Sequence, residues 1–243
     1  MSDAAVNMPN SMSPANNERT AKMVLYFGIF SIVMLFAGLL SAYIITSFSE
    51  LWVNIVIPSE FYYSTAAIVL SSLTLRFAVK AAEKPGQKNA SLFLVVTIIL
   101  GVVFGVLQYQ GWSQLTTTGS YFTGSVDNLS GTYGEDFTIT YQGKELIFEN
   151  GEFYFPNDEL REKPLLNEIS IFGNSASSYF YLLSFVHLIH LLGGIIFFIV
   201  ILAVGSLSVS KTISPMRLRL GAIYWNFVDG LWIFLFLFLL LFH

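Results

Sequence analysis

Hydrophobic residues in this chain fall into five long blocks, separated by polar stretches of very unequal length. The blocks run at about Lys22–Thr46, Ser59–Ala81, Ala90–Gly111, Ser178–Gly205 and Leu220–Phe242. Each reaches or exceeds the ~20 residues a helix needs to cross a bilayer. Backbone groups inside lipid must satisfy one another, so each block predicts a membrane helix. Residues 1–20 are polar, with Pro9, Pro14 and several Asn and Ser, and predict a disordered tail. That tail lacks the basic start and short apolar core of a signal peptide, so the first helix is expected to be retained.

The chain therefore divides into a tail (1–20), three helices (22–111), an insertion (112–177) and two further helices (178–243). The insertion has another pattern. Phe137–Tyr141 alternates apolar residues with Thr, and a turn follows at Gln142-Gly143. Glu145–Glu149 and Glu152–Phe155 flank Asn150-Gly151, two residues that both accept positive φ and so favour a tight hairpin. The fold class is all-α integral membrane: five transmembrane helices, with a small external β-meander between the third and fourth. Three strands alone are marginal, so the meander is expected to pack on the membrane domain or on a partner.

Composition agrees with the pattern: 54% of residues are hydrophobic and 12% charged. A soluble core of this size does not require that ratio. The chain has no cysteine, which removes disulfides, thiolate metal sites and cysteine nucleophiles. Charge placement orients the bundle. Arg19 and Lys22 precede the first block, Arg76, Lys80, Lys84 and Lys88 lie around the second connection, and Lys211, Arg217 and Arg219 lie between the last two blocks. The short connection after the first block carries Glu50 and Glu60 and no base. Three basic clusters on one side predict a cytoplasmic N-terminus and an external C-terminus. Arg76, Arg217, Arg219 and Trp225 are then expected near lipid headgroups or the membrane interface. The insertion holds ten of the chain's 16 acids against Lys144, Arg161 and Lys163. Such a surface is usually only solvated, and docking a partner is the sharper reading.

Polar residues inside the blocks are few. Asp229 is the one carboxylate well inside a hydrophobic segment, where a charge needs a partner or a role. His187 and His190, spaced i, i+3, share a helix face on the preceding block. With Asn226 they predict an interhelical hydrogen-bonded cluster centred on Asp229. Imidazole also suits iron, copper and zinc, and a proton relay could use the same groups. Haem ligation usually draws on separate helices, and the one other histidine is His243. Gly38 and Ala42, and Gly101 and Gly105, are pairs of small residues four apart that let helices approach closely. Ser64, Thr65, Ser71, Ser72 and Thr74 on the second block also read as packing or interhelical hydrogen bonds. No phosphate-binding loop, catalytic triad order or oxygen-rich metal motif is present.

At these same residues the sequence resembles subunit III of the haem-copper oxidases, in its short five-helix bacterial form. The family's last helix reads Tyr-Trp-His-Phe-Val-Asp and then Trp, matched by Tyr224, Trp225, Phe227, Val228, Asp229 and Trp232, with Asn226 in place of His. The family's Phe-His-Gly-Leu-His is met by Val186, His187, Leu188, Ile189 and His190. Leu107, Gln108 and Trp112 fit a further motif, with Gly111 where Glu is usual. Ser31–Phe36 fits another, with Ile32 where the family has a carboxylate. Those two missing acids argue against a direct proton-buffering role. The likeness spans Met23 to Phe242 apart from the insertion.

The resemblance implies a subunit with no catalytic residues and no cofactor of its own, beside a subunit I that holds haem and copper. The complex would reduce dioxygen to water and pump protons, and this chain would steady subunit I and its proton-uptake entrance. Further expected partners are subunit II, phospholipid, and cytochrome c or a cytochrome subunit at 113–177; nucleic acid is not expected. The location implied is the bacterial cytoplasmic membrane. Alternatives are an accessory subunit of a quinol oxidase or nitric oxide reductase, and, in another class, a small proton-coupled channel or carrier. The spans lack the paired broken helices of such carriers.

Overall fold

The computed structural model describes residues 14–49, 51–83, 89–122, 130–141, 143–149, 151–158, 161, 163–165, 175–207 and 213–242. Among the described residues there are five helices: α1 (Pro14–Ser49), α2 (Glu60–Ala82), α3 (Asn89–Thr117), α4 (Ser175–Leu207) and α5 (Pro215–Phe242). All five are long and apolar enough to cross a membrane. Two start on proline, whose missing N–H costs nothing in a first turn. Helix α1 begins at Pro14, inside the stretch expected to be disordered; residues 1–13 lie outside the described residues. Helix α3 stops where Gly119 adopts φ +80, which lets Ser120 N–H reach Leu115 O (3.0 Å) and Gly119 N–H reach Thr116 O (3.2 Å). That pair of bonds satisfies carbonyls the ending helix would otherwise leave open.

Helices α2, α3, α4 and α5 close a four-helix ring in which α2 packs along α3 and α5, and α4 packs along the same two. Helix α1 stands outside this ring and lies against α4 and α5. Its core contribution is small: Phe36, Leu40 and Tyr43 are the buried residues of its 18–48 stretch. At the end where α2 finishes and α5 begins, Arg219 Nε meets Glu83 Oε1 at 3.3 Å.

The β structure differs from the expected meander. Strand β1 (Leu51–Ile55), in the connection between α1 and α2, pairs antiparallel with β2 (Phe137–Tyr141), with Leu51 opposite Tyr141 and Ile55 opposite Phe137. Strand β3 (Lys144–Glu145) pairs on the other side of β2, giving the order β1-β2-β3. Strands β4 (Ile147–Glu149) and β5 (Glu152–Tyr154) form a separate hairpin. The sheet is thus built from two connections rather than from the 112–177 insertion alone. Strand β1 is short and buried nearly throughout, so its sequence lacks the alternation that marks β2. The expected turns are partly visible: Gly143 and Gly151 take φ +72 and +85, while Gln142 and Asn150 lie outside the described residues.

An aromatic box ties this sheet to the helices. Tyr43 of α1 meets Trp52 of β1 edge-on at 4.7 Å, Phe238 of α5 at 5.1 Å and Tyr179 of α4 at 5.8 Å. The Tyr43 hydroxyl donates to Phe242 O at 3.2 Å. Edge-to-face pairs of this kind add about 0.5–1.5 kcal/mol beyond area burial.

Candidate functional site: a polar ladder between the helices

Helix α2 buries a stripe made of Phe61, Ser64, Ile68, Ser71, Leu75 and Ala78, the 3–4 spacing of one helical face. Lipid tails are as apolar as leucine, so apolar stripes alone give helices little reason to associate. The hydroxyls on and beside the stripe supply one. Ser64 Oγ donates to Phe61 O (2.9 Å) and accepts from Gln108 Nε2 of α3 (2.9 Å). Thr65 Oγ1 donates to the same carbonyl (2.7 Å) and accepts from Trp232 Nε1 of α5 (2.9 Å). Ser71 Oγ donates to Ile68 O (2.7 Å) and accepts from Trp225 Nε1 of α5 (2.9 Å). Thr74 Oγ1 stands 2.8 Å from Thr97 Oγ1 of α3. Each of the first three hydroxyls gives its proton to its own helix and receives one from a neighbour. Of the two readings the sequence left for Ser64, Thr65, Ser71, Ser72 and Thr74, packing or interhelical hydrogen bonds, the second describes all five.

Ser72 is the exception in direction: it donates to Asp229 Oδ2 on α5. Asp229 is 3% exposed, and its other oxygen, Oδ1, has no hydrogen-bond partner among the described residues. The cluster expected around Asp229 is therefore corrected. Neither histidine bonds to it, because Asp229 faces α2 while the histidines belong to α4. His187 is fully buried, with neither ring nitrogen hydrogen-bonded among the described residues, and packs against Phe104 (5.8 Å) and Trp232 (5.0 Å). His190 Nδ1 lies 2.7 Å from Val186 O on its own helix, and its ring meets Phe36 of α1. The two imidazoles thus serve different neighbours. Asn226 Oδ1 is buried without a hydrogen-bond partner among the described residues. Among the described residues no three or more His, Cys, Asp or Glu gather as metal ligands.

Trp225 is also corrected. The sequence places it at the interface, yet it is fully buried and bonded to Ser71. Gly101 is its seat: a Cβ there would come within 2.9 Å of the Trp225 ring. Gly194 of α4 lines the other side, where a Cβ would lie 3.0 Å from the same indole. Gly105 has ordinary clearance, 3.6 Å to Leu188. Among the described residues Gly38 meets nothing within 4 Å and is exposed, and Ala42 is half-buried, so the Gly38–Ala42 pair makes no close helix contact there. The tightest glycine lies outside both predicted packing pairs: a Cβ at Gly111 would sit 2.5 Å from the Phe61 ring. Gly221 similarly admits Phe198, at 2.6 Å. Arg76 and Arg217 are exposed, whereas Arg219 is engaged with Glu83. Lys84, Lys88, Lys211 and His243 lie outside the described residues.

Compared with models of known protein families, the sequence matches none. What the fold and the ladder define is a class: a helical protein, compatible with a multi-pass membrane protein, whose described intramembrane polar groups mostly tie one helix to another.

Proposed function

We propose that this chain is a subunit III of a haem-copper terminal oxidase, a complex that reduces dioxygen to water while translocating protons. It acts there without catalytic residues of its own, bracing the subunit that holds haem and copper and the entrance of its proton-uptake path. The observation that carries the reading is the meeting of the two segments in which the sequence resembles that family. Val186–His190 on α4 and Tyr224–Trp232 on α5 lie against each other, with the Tyr224 hydroxyl on His190 O at 2.9 Å and Trp232 against His187. Tyr224, Trp225, Asp229 and Trp232 each hydrogen-bond to another helix, which suits a bracing subunit. The exposed apolar flank of α1 offers room for lipid or for a neighbouring subunit. In this reading the N-terminus is cytoplasmic, the sheet and C-terminus face outward from a bacterial cytoplasmic membrane, and exposed Arg76 and Arg217 meet phospholipid headgroups.

The test is affinity purification of the tagged chain from its own membranes in mild detergent, followed by an optical spectrum and intact mass spectrometry. Haem bands and a copper-bearing partner are expected at one copy per chain. Deleting the gene should leave oxygen reduction initially active but less durable over repeated turnover. A chain that purifies alone and supports solute-coupled proton flux in vesicles would replace this reading with that of a carrier.

A further inference from the structure

A cleft of about 330 Å³ opens where the β1–β2 sheet meets the ends of α2 and α5, and its two walls differ in character. One wall is apolar: Ile57, Tyr62 in the first turn of α2 and Leu240 in the last turn of α5. In helices that cross a bilayer, those turns lie at the edge of the hydrocarbon, a depth that tyrosine favours. Tyr62 is 49% exposed there, its ring held edge-on against Phe236 at 5.0 Å. The other wall is polar and belongs to the sheet: Asn54 of β1, Thr138 of β2, and Glu135 in the turn before β2.

The polar wall is held in place by the fold. The register sets Asn54 opposite Thr138, and Asn54 Nδ2 donates to Thr138 Oγ1 at 3.3 Å. Gly134 N–H reaches Phe137 O at 2.9 Å and Val56 N–H reaches Asp136 O at 3.3 Å, which pins the turn that carries Glu135. Among the described residues the Thr138 hydroxyl proton, the Asn54 carbonyl oxygen and the Glu135 carboxylate make no hydrogen bond or ion pair. No Lys or Arg is among the described residues that line the cleft.

Those groups select an occupant. Two acceptors beside one donor fit a primary ammonium joined to a phosphate: the ammonium donates to Glu135 and Asn54 Oδ1, and a phosphate oxygen accepts from Thr138. The apolar wall then receives the start of an acyl chain. We propose that this cleft holds the headgroup of an aminophospholipid, of the phosphatidylethanolamine type. A choline head offers methyl groups where the acceptors need protons, and an anionic glycerol head meets Glu135 with no base to offset it. Strand β2 and the Glu135 turn belong to the 112–177 insertion, outside the stretch that resembles the oxidase subunit, so the inference does not rest on the oxidase reading.

The experiment uses the full chain, stripped of lipid in mild detergent. It is titrated with short-chain phosphatidylethanolamine, phosphatidylcholine or phosphatidylglycerol while intact mass spectrometry counts the lipids retained. The unaltered chain should hold one phosphatidylethanolamine several-fold more firmly than phosphatidylglycerol, with phosphatidylcholine between them. Glu135→Gln should weaken ethanolamine binding about three-fold, as expected for an exposed ion pair, and remove the margin over choline. Glu135→Lys should reverse the order, so that phosphatidylglycerol is held best. Thr138→Val keeps the strand shape and removes the donor, and should weaken all three lipids alike, because the phosphate is common to them. Hydrogen exchange across β1 and β2 checks that each variant keeps its sheet, and Glu135→Gln, on an exposed turn, carries the test should Glu135→Lys fail to fold. Equal retention of the three lipids by the unaltered chain overturns the proposal, as does an order of preference that the Glu135 variants leave unchanged. A polypeptide partner that shields Asn54–Ile57 and Gly134–Thr138 in the native complex, in place of lipid, overturns it as well.

Discussion

Helices α1 and α2 make the instructive contrast in this molecule. Helix α1 is the longer and more apolar of the two, yet it buries three residues in its 18–48 stretch and stands outside the ring. Helix α2 is the least apolar of the five and is held on two sides. In water the ranking would be reversed, because burial would follow hydrophobicity. In lipid, a hydrophobic surface is already solvated, and attachment depends on close packing and on hydrogen bonds that the hydrocarbon does not supply. Five hydroxyls therefore anchor α2, whereas α1 is fastened mainly by Tyr43 and the aromatic box. Apolarity measures entry into the membrane; polar partners and small residues measure position within the bundle.

That contrast can be tested first at Trp225, where the largest effect is expected. Trp225→Ala empties the space between Gly101 and Gly194 and leaves Ser71 without its indole donor. Unfolding of the full chain in mixed micelles should show a loss of about 3–5 kcal/mol. Phe30→Ala on the exposed flank of α1 should change stability by less than about 0.5 kcal/mol. Comparable losses at both sites would erase the distinction.

Next come the glycines. Gly111→Leu must displace Phe61, since even a Cβ would lie 2.5 Å from its ring, and should cost about 1–3 kcal/mol through overpacking. Gly38→Leu, with nothing within 4 Å, should be neutral in the isolated chain. If Gly38→Leu also unfolds the chain, α1 is held more tightly than its packing suggests.

A smaller effect separates the serine–aspartate bond from the histidine–aspartate bond expected along the sequence. The double-mutant cycle of Ser72→Ala and Asp229→Asn should return a coupling of about 0.6–1.7 kcal/mol, the range for hydrogen bonds between membrane helices. The cycle of His187→Ala and Asp229→Asn should be additive within about 0.5 kcal/mol. Coupling in the second cycle and none in the first would restore the histidine cluster expected from the sequence.

The smallest expected change concerns Tyr133 beside the hairpin. Burial pushes its phenol above the ordinary 10.0, with the neighbouring Glu145 charge acting in the same direction and the hydrogen bond to the backbone of Ile139 opposing it. The folded state therefore favours the protonated phenol. Its contribution is complete below pH 10 and is lost as the pH rises beyond it. Hydrogen exchange at β4 and β5 should quicken in that alkaline range, and Tyr133→Phe should remove the pH step while raising the baseline rate. A step that survives in Tyr133→Phe would assign it to another group.

The five apolar helices, their rough limits, the strand at Phe137–Tyr141 and the polar role of the α2 hydroxyls were legible along the chain. They depend on local rules: ~20 apolar residues cross a bilayer, alternation marks a half-buried strand, and a buried hydroxyl seeks a partner. Which helix stands beside which was not legible. In the sequence, Asp229 follows the histidines by one helix, and consecutive helices are the default neighbours. Only the packed ring turned Asp229 toward Ser72, 157 residues earlier in the chain, and left His187 among aromatic rings. The same holds for Trp225, whose aromatic character fits an interface until Gly101 and Gly194 supply a slot for it. It holds again for β1, whose pairing with β2 joins residues more than 80 positions apart. Periodicity in a sequence fixes what each segment must bury; the identity of what it is buried against depends on volume and hydrogen-bond geometry across the bundle, and these exist only once the helices have met.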